Sequence, residues 1–263
     1  MRTFVSLLIA CLAVAGMVGI PADNVAASES SLAQAVNKSG RQRMLVQRIV
    51  KAYVQIGLEI TPQASRRQLD DAVLMFETQL AELKSVAPDF GSGEPVARLE
   101  RLWRPFREVA AGAVSRAGAV RLLEMDGALV DAADGLTVGL QNRAANPAGR
   151  LVNLAGRQRM LSQRMAKYYL LRAWGIESAT IAREIGSARA EFDGALATLR
   201  AAPENTDRVG KELEAVALQW EWFKNALSLE GAASYGLIVV NASEAILESM
   251  EVITGHYERL APQ

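Results

Sequence analysis

The stretch Val36-Asn37-Lys38-Ser39-Gly40-Arg41-Gln42-Arg43-Met44-Leu45-Val46-Gln47-Arg48-Ile49-Val50-Lys51-Ala52-Tyr53 returns 116 residues later. There it reads Val152-Asn153-Leu154-Ala155-Gly156-Arg157-Gln158-Arg159-Met160-Leu161-Ser162-Gln163-Arg164-Met165-Ala166-Lys167-Tyr168-Tyr169, and 12 of the 18 aligned positions are identical. Self-similarity at a fixed offset marks a duplicated structural unit. Weaker echoes carry the duplication beyond the motif: Phe76 with Phe192, Leu83 with Leu199, Pro88 with Pro203, and Trp103-x-x-Phe106 with Trp220-x-x-Phe223.

Working outward, helix breakers divide each copy into four segments. Thr61-Pro62, Ala87-Pro88 with the loop from Gly91 to Pro95, and Gly112 to Gly118 punctuate the first copy. The second is divided near Glu177, from Pro203 to Thr206, and near Gly231. Between these marks apolar residues recur at helical spacing, as in Leu69, Val73, Phe76, Leu80 and Leu83, or Ile246, Met250, Ile253 and Tyr257. Antiparallel helices with short connections bury such stripes, so the expected fold is all-α, two tandem up-down-up-down four-helix bundles. The expected divisions are a leader over 1–27, a first bundle over 28–145 and a second over 146–263. Asn146-Pro147 is read as the cap and first-turn proline of the second copy, and Pro105 as a kink in the third helix.

The leader is read from Met1-Arg2-Thr3, the apolar run from Phe4 to Ile20, and the small residues Val25-Ala26-Ala27, with cleavage expected after Ala27. The run spans about 17 residues, short of the roughly 20 that cross a bilayer, and Pro21 closes it. Leu8-Ile9-Ala10-Cys11 also reads like a lipoprotein processing box, which leaves lipidation as a minor alternative. The expected location is therefore the periplasm. Cys11, the only cysteine, falls in the leader, so the mature chain is expected to have no disulfide and no thiolate chemistry. No second membrane segment is expected after Ala27, and hence no output domain across a membrane.

The 29 basic residues balance the 29 acidic ones, which argues against a nucleic-acid partner. The imbalance is local. From Ser31 to Leu58, and again from Gly135 to Ile176, there is no Asp or Glu among several Arg and Lys. On a helix, Leu45, Ile49, Ala52 and Ile56 form one apolar stripe suited to a bundle core. Nearly opposite lies a second stripe, Val36, Gly40, Arg43, Gln47, Val50 and Val54, repeated as Val152, Gly156, Arg159, Gln163, Ala166 and Leu170. A helix apolar on two sides packs on two sides, and glycine permits close approach. If two such faces meet, within the chain or across a homodimer, Arg43 and Arg159 come together in a partly dry seam. Paired guanidinium forks repel unless an anion sits between them, and they match a flat oxyanion. Arg41, Arg48, Lys51 and their repeats are read with two alternatives open: a solvated face, or pairs with acids on other helices.

The pattern Asn-x-x-Gly-x-x-Arg-Met with a second arginine five residues later resembles the first-helix motif of nitrate and nitrite sensor kinases. Its fuller form, Asn-x-x-Gly-Arg-Gln-Arg-Met-Leu-x-Gln-Arg, resembles the N-terminal (PilJ-type) domain of type IV pili methyl-accepting chemotaxis transducers. The resemblance implies a four-helix sensory bundle in which Arg43 and Arg159 contact an anion at a two-fold helix interface. It maps the motif glycine to Gly40 and Gly156, the later arginine to Arg48 and Arg164, and the leading asparagine to Asn37 and Asn153. With Gln47 and Gln163 from the second stripe, these are the candidate ligand-binding residues. The presence of Arg41-Gln42 and Arg157-Gln158 within the motif departs from the sensor kinases.

The expected function is a periplasmic module that recognises a small oxyanion such as nitrate or nitrite and reports to a membrane-bound sensor or transducer. The contrasting expectation is a ligand-free helical interaction module, pairing with a receptor or with itself. An enzyme, a cofactor and a metal are not expected. His256 is the only histidine and is read as a last-turn residue of a helix, and adjacent Asp70-Asp71 as a solvated face rather than convergent carboxylates. Trp103, Phe106, Trp220, Trp222 and Phe223 are read as core or interface aromatics rather than a ligand cage, and Met44 and Met160 as space-filling beside the helix contact.

Overall fold

The computed structural model describes residues 22–143, 147–177, 179–229 and 233–260. Among them are eight helices and no strand: α1 (Ala22–Gly57), α2 (Pro62–Val86), α3 (Gly93–Ala111), α4 (Arg116–Gln141), α5 (Pro147–Ala173), α6 (Ala179–Arg200), α7 (Asp207–Ser228) and α8 (Ala233–Glu258). The apolar run Phe4–Ile20, the cysteine at 11, Asn146 and Gly231 lie outside the described residues. Helix α1 runs through Ala27, so cleavage there would leave it starting at Ser28.

Local chemistry explains the turns. Pro62 occupies the first turn of α2, where a missing N–H costs nothing. The preceding bend holds Glu59 and Thr61 at positive φ (57° and 42°). Ser65 donates to the Ile60 carbonyl at 2.7 Å and accepts from Gln55 at 3.1 Å, which pins this bend to α1. At the start of α4, Ser115 accepts from the Gly118 N–H at 3.0 Å, an ordinary N-cap. Thr206 caps α7 in the same way through Val209. Helix α3 continues through Pro105.

One tie is repeated. Tyr53, at the end of the first motif, donates to the Ala113 carbonyl at 2.9 Å, and Tyr169 donates to the Leu229 carbonyl at 2.9 Å. Each tyrosine thereby anchors the loop that leads into the last helix of its own copy. Gly118 is required by this arrangement, because a Cβ there would sit 2.1 Å from the Tyr53 hydroxyl. The aromatic plugs also repeat: Phe76 stacks on Trp103 with ring centroids 3.8 Å apart, and Phe192 on Trp220 at 4.2 Å.

Helix α1 packs on α2 and α4, and α5 on α6 and α8, as each bundle requires. The two bundles are joined chiefly along α1 and α5, which lie against each other. Buried apolar residues form one continuous cluster that draws on all eight helices. Trp103, Phe106, Trp220 and Phe223 belong to it, but Trp222 does not: at 75 % exposed it stands on the outer surface of α7. The helical spacing that brings Trp220 and Phe223 inward turns Trp222 outward, so of the core and interface readings the core one is corrected for Trp222.

Candidate functional site in the seam between the first helices

The α1–α5 seam brings both copies of the motif together. Arg43 and Arg159 are fully buried. Each reaches across to the asparagine that opens the other copy's motif: Arg43 Nη2 donates to Asn153 Oδ1 at 2.7 Å, and Arg159 Nη2 to Asn37 Oδ1 at 2.8 Å. This exchange is what an approximate two-fold axis between α1 and α5 produces. A glycine stands beside each guanidinium. A Cβ on Gly156 would lie 3.0 Å from Arg159 Nη2 and 3.7 Å from Arg43 Nη2, and one on Gly40 would lie 3.1 Å from Arg43 Nη2. Both forks therefore converge near Gly156.

Protein carboxylates provide counter-charge to both arginines. Arg43 pairs with Asp134 on α4, and Arg159 with Glu251 on α8. Each carboxylate also takes an arginine from the other copy: Arg157 reaches Asp134 at 3.2 Å, and Arg41 contacts Glu251. The asparagines are held in turn, Asn37 by donating to Glu258 and Asn153 by donating to Gln141. The acid-free windows thus do not leave α1 and α5 unneutralised. The acids that meet the buried cations come from the last helix of each bundle, and Glu82 on α2 and Glu191 on α6 serve Lys38 and Arg157. The signal was present in the sequence: Glu244, Glu251 and Glu258 recur every seven residues on one face of α8, and Asp134 and Gln141 hold the matching places on α4.

A second layer crosses the seam one to two turns further on. Buried Lys51 reaches Glu244 on α8 and donates to Ser243 Oγ at 3.3 Å, with Arg48 on the same carboxylate at 2.6 Å. Buried Lys167 reaches Asp126 on α4. Each lysine thus pairs with the last helix of the opposite bundle. For Arg48 and Lys51, and for Arg41, the reading as pairs with other helices is the one the structure adopts. Arg164 lies 4.0 Å from Glu184 on α6. Gln163 donates to the Ser243 carbonyl at 3.1 Å, whereas the side-chain carbonyl oxygens of Gln47 and Gln163 are buried with no donor.

Electrostatics distinguish the two arginines. Burial pushes the Arg43 guanidinium below its ordinary value, with Asp134 opposing that shift. Arg159 is pushed well below it, first by burial and then by the positive Arg41 and Arg43, with Glu258 opposing. Arg43 Nε donates to the Gly40 carbonyl at 3.3 Å, whereas Arg159 Nε is buried with no acceptor. Burial likewise lowers Lys51 to about 8 against the pull of Glu244.

Among the described residues, no group of His, Cys, Asp and Glu is arranged to hold a metal ion, and no helix is long and apolar enough to cross a membrane. His256 sits in the last turn of α8, and Asp70 and Asp71 are exposed on α2.

Two four-helix bundles, each led by a motif helix and joined through those helices, make this a tandem helical-bundle protein. The family model for the type IV pili methyl-accepting chemotaxis transducer N-terminal (PilJ) domain matches residues 25–124 and again residues 140–245, and the chain belongs to that family. No curated protein and no solved structure matches it.

Proposed function

We propose that this protein is an exported sensory module in which two tandem copies, over residues 28–145 and 146–263, serve within one chain as the two halves of a two-fold sensor. The α1–α5 seam receives a small planar oxyanion of nitrate or nitrite size, and the helices around it report to a membrane-bound transducer. The observation that carries this reading is Arg159: fully buried, beside Arg41 and Arg43, with its Nε–H lacking an acceptor. A desolvated guanidinium crowded by like charges is stabilised by an added anion, and a flat oxyanion satisfies the free edge of its fork. Gly40 and Gly156 let the guanidinium groups lie close against the helices, Asn37 and Asn153 orient the forks, and Gln47 and Gln163 border the site. Arg48 and Arg164 tie the seam to neighbouring helices. Family membership supports the sensory role and the periplasmic setting.

A ligand-free reading is favoured by one observation: Asp134 and Glu251 already neutralise Arg43 and Arg159. In that reading the seam is a permanent clasp, and the module acts only by pairing with a receptor bundle or with itself. Isothermal titration with nitrate and nitrite at low chloride separates the two. Saturable binding in the intact chain that disappears in Arg43→Ala/Arg159→Ala supports the sensor. No heat from either anion, with partner binding unaffected by them, supports the clasp.

A further inference from the structure

The outer groove between α2 and α3 differs from its repeat in two respects that coincide. In the second copy, the buried Trp220 indole donates from Nε1 to Asp193 on α6 at 2.6 Å. In the first, Glu77 occupies the place of Asp193 but is engaged by Arg107 Nε at 2.5 Å instead. Trp103 Nε1 is consequently buried without an acceptor, although the residue is only 4 % exposed. The indole lines a cavity of about 290 Å³ whose apolar floor is Leu80 and Ala81.

Charge breaks the symmetry at the same spot. Lys84, Arg104 and Arg107 line this cavity against Glu77 and Glu100, one positive charge in surplus. Glu100 is shared by Lys84, at 2.9 Å, and Arg104, at 3.5 Å. In the second copy the place of Arg104 is taken by Glu221 and that of Glu100 by Ala217; there Arg200 pairs with Glu214 at 2.7 Å, and Lys224 with Glu221 at 2.7 Å and Asp193 at 3.9 Å, which leaves no positive surplus. The first copy thus presents a buried N–H donor, an excess cation and an apolar floor where its twin is internally satisfied.

We propose that this groove binds a small organic carboxylate, whose oxygens accept from Trp103 Nε1 and face Arg104 while its aliphatic part lies on Leu80, Ala81 and the indole. The ligand carboxylate stands to Trp103 as Asp193 stands to Trp220. This site is separate from the seam and does not depend on the oxyanion reading.

The test is indole ¹H–¹⁵N spectroscopy of the full chain titrated with sodium butyrate, with inorganic phosphate and sodium chloride in parallel at matched ionic strength. Trp103→Phe identifies the resonance and retains the ring stack on Phe76. Butyrate is expected to move the Trp103 signal saturably toward the position of Trp220, leaving Trp220 in place. Arg104→Glu, which installs the residue of the second copy on an exposed position, is expected to weaken binding by about tenfold or more, as for loss of a charge-assisted hydrogen bond. A Trp103 signal that does not respond to butyrate overturns the proposal. So does an equal response to chloride, a response to phosphate alone, or butyrate binding unchanged in Arg104→Glu.

Discussion

The two bundles agree at their shared seam and diverge at their rims. Along α1 and α5 the exchange is nearly complete: Arg43 with Asn153 and Asp134 on one side, Arg159 with Asn37 and Glu251 on the other. Away from the seam, α2 and α3 carry Met75, Glu77 and Arg104 where α6 and α7 carry Glu191, Asp193 and Glu221. Residues that meet their own counterparts are constrained twice, because a change alters contacts in both bundles. Rim residues answer only to their own bundle. Differences within the seam, such as the free Nε–H of Arg159, therefore carry more information than differences outside it.

The largest test of this comparison lies in the buried lysines. Asp126 has a side chain 6 % exposed and Lys167 as its ion-pair partner, whereas Glu244 is 19 % exposed and is shared by Lys51 and Arg48. Removing one partner of a buried pair strands the other. Lys167→Met is expected to destabilise by about 3–5 kcal/mol, and Lys51→Met by about 1–2 kcal/mol because Arg48 stays on Glu244. Chemical denaturation of both variants gives the answer. Equal losses would mean that Arg48 does not compensate.

Next in size is the glycine pair. A methyl on Gly156 meets both arginines, while one on Gly40 has only Arg43 within reach of the two. Gly156→Ala is expected to cost about 2 kcal/mol and Gly40→Ala about 1 kcal/mol, as overpacked sites do. The reverse order, read from the same denaturation curves, would displace the point of convergence toward Gly40.

A pH dependence sharpens the comparison further. With its folded value near 8 and its ordinary value at 10.5, Lys51 holds its proton less tightly in the folded chain than in the unfolded one. Its contribution to stability is therefore fully present above 10.5 and is lost as pH falls through about 8. The melting temperature of the intact protein, relative to Lys51→Met, is expected to rise between pH 8 and 10.5. A flat difference would place Lys51 in a better-solvated setting.

The smallest expected effect is at the rim. Asp193→Ala removes the acceptor of Trp220 and is expected to cost about 1 kcal/mol, whereas Glu77→Ala leaves the indole hydrogen bonding of Trp103 unchanged. The Trp220 indole proton should shift in the first variant and the Trp103 proton stay in place in the second.

Much of this architecture is legible in the sequence because the duplicated motif aligns the two copies and places Gly40, Arg43 and Gln47 on a second helix face. The seam partners were harder to read. Asp134 and Glu251 lie about 90 residues from the arginines they meet, so only the seven-residue spacing of Glu244, Glu251 and Glu258 announces them. Trp222 is not a core residue, because its position two residues after Trp220 turns it to the outer face of α7. The orphaned Trp103 donor could not be read at all, since it depends on which of two neighbours Glu77 engages.

Reception of an oxyanion at the crowded arginine of the seam is best probed by arginine Nε ¹H–¹⁵N spectroscopy of the intact chain, with Arg159→Lys used to assign the signal. Nitrate is predicted to move the Arg159 Nε–H saturably, while Arg43, already bonded to the Gly40 carbonyl, responds far less and chloride at equal ionic strength has no such effect. An Arg159 signal that stays in place up to millimolar nitrate, or drifts equally with chloride, would contradict the claim and leave the seam as a clasp.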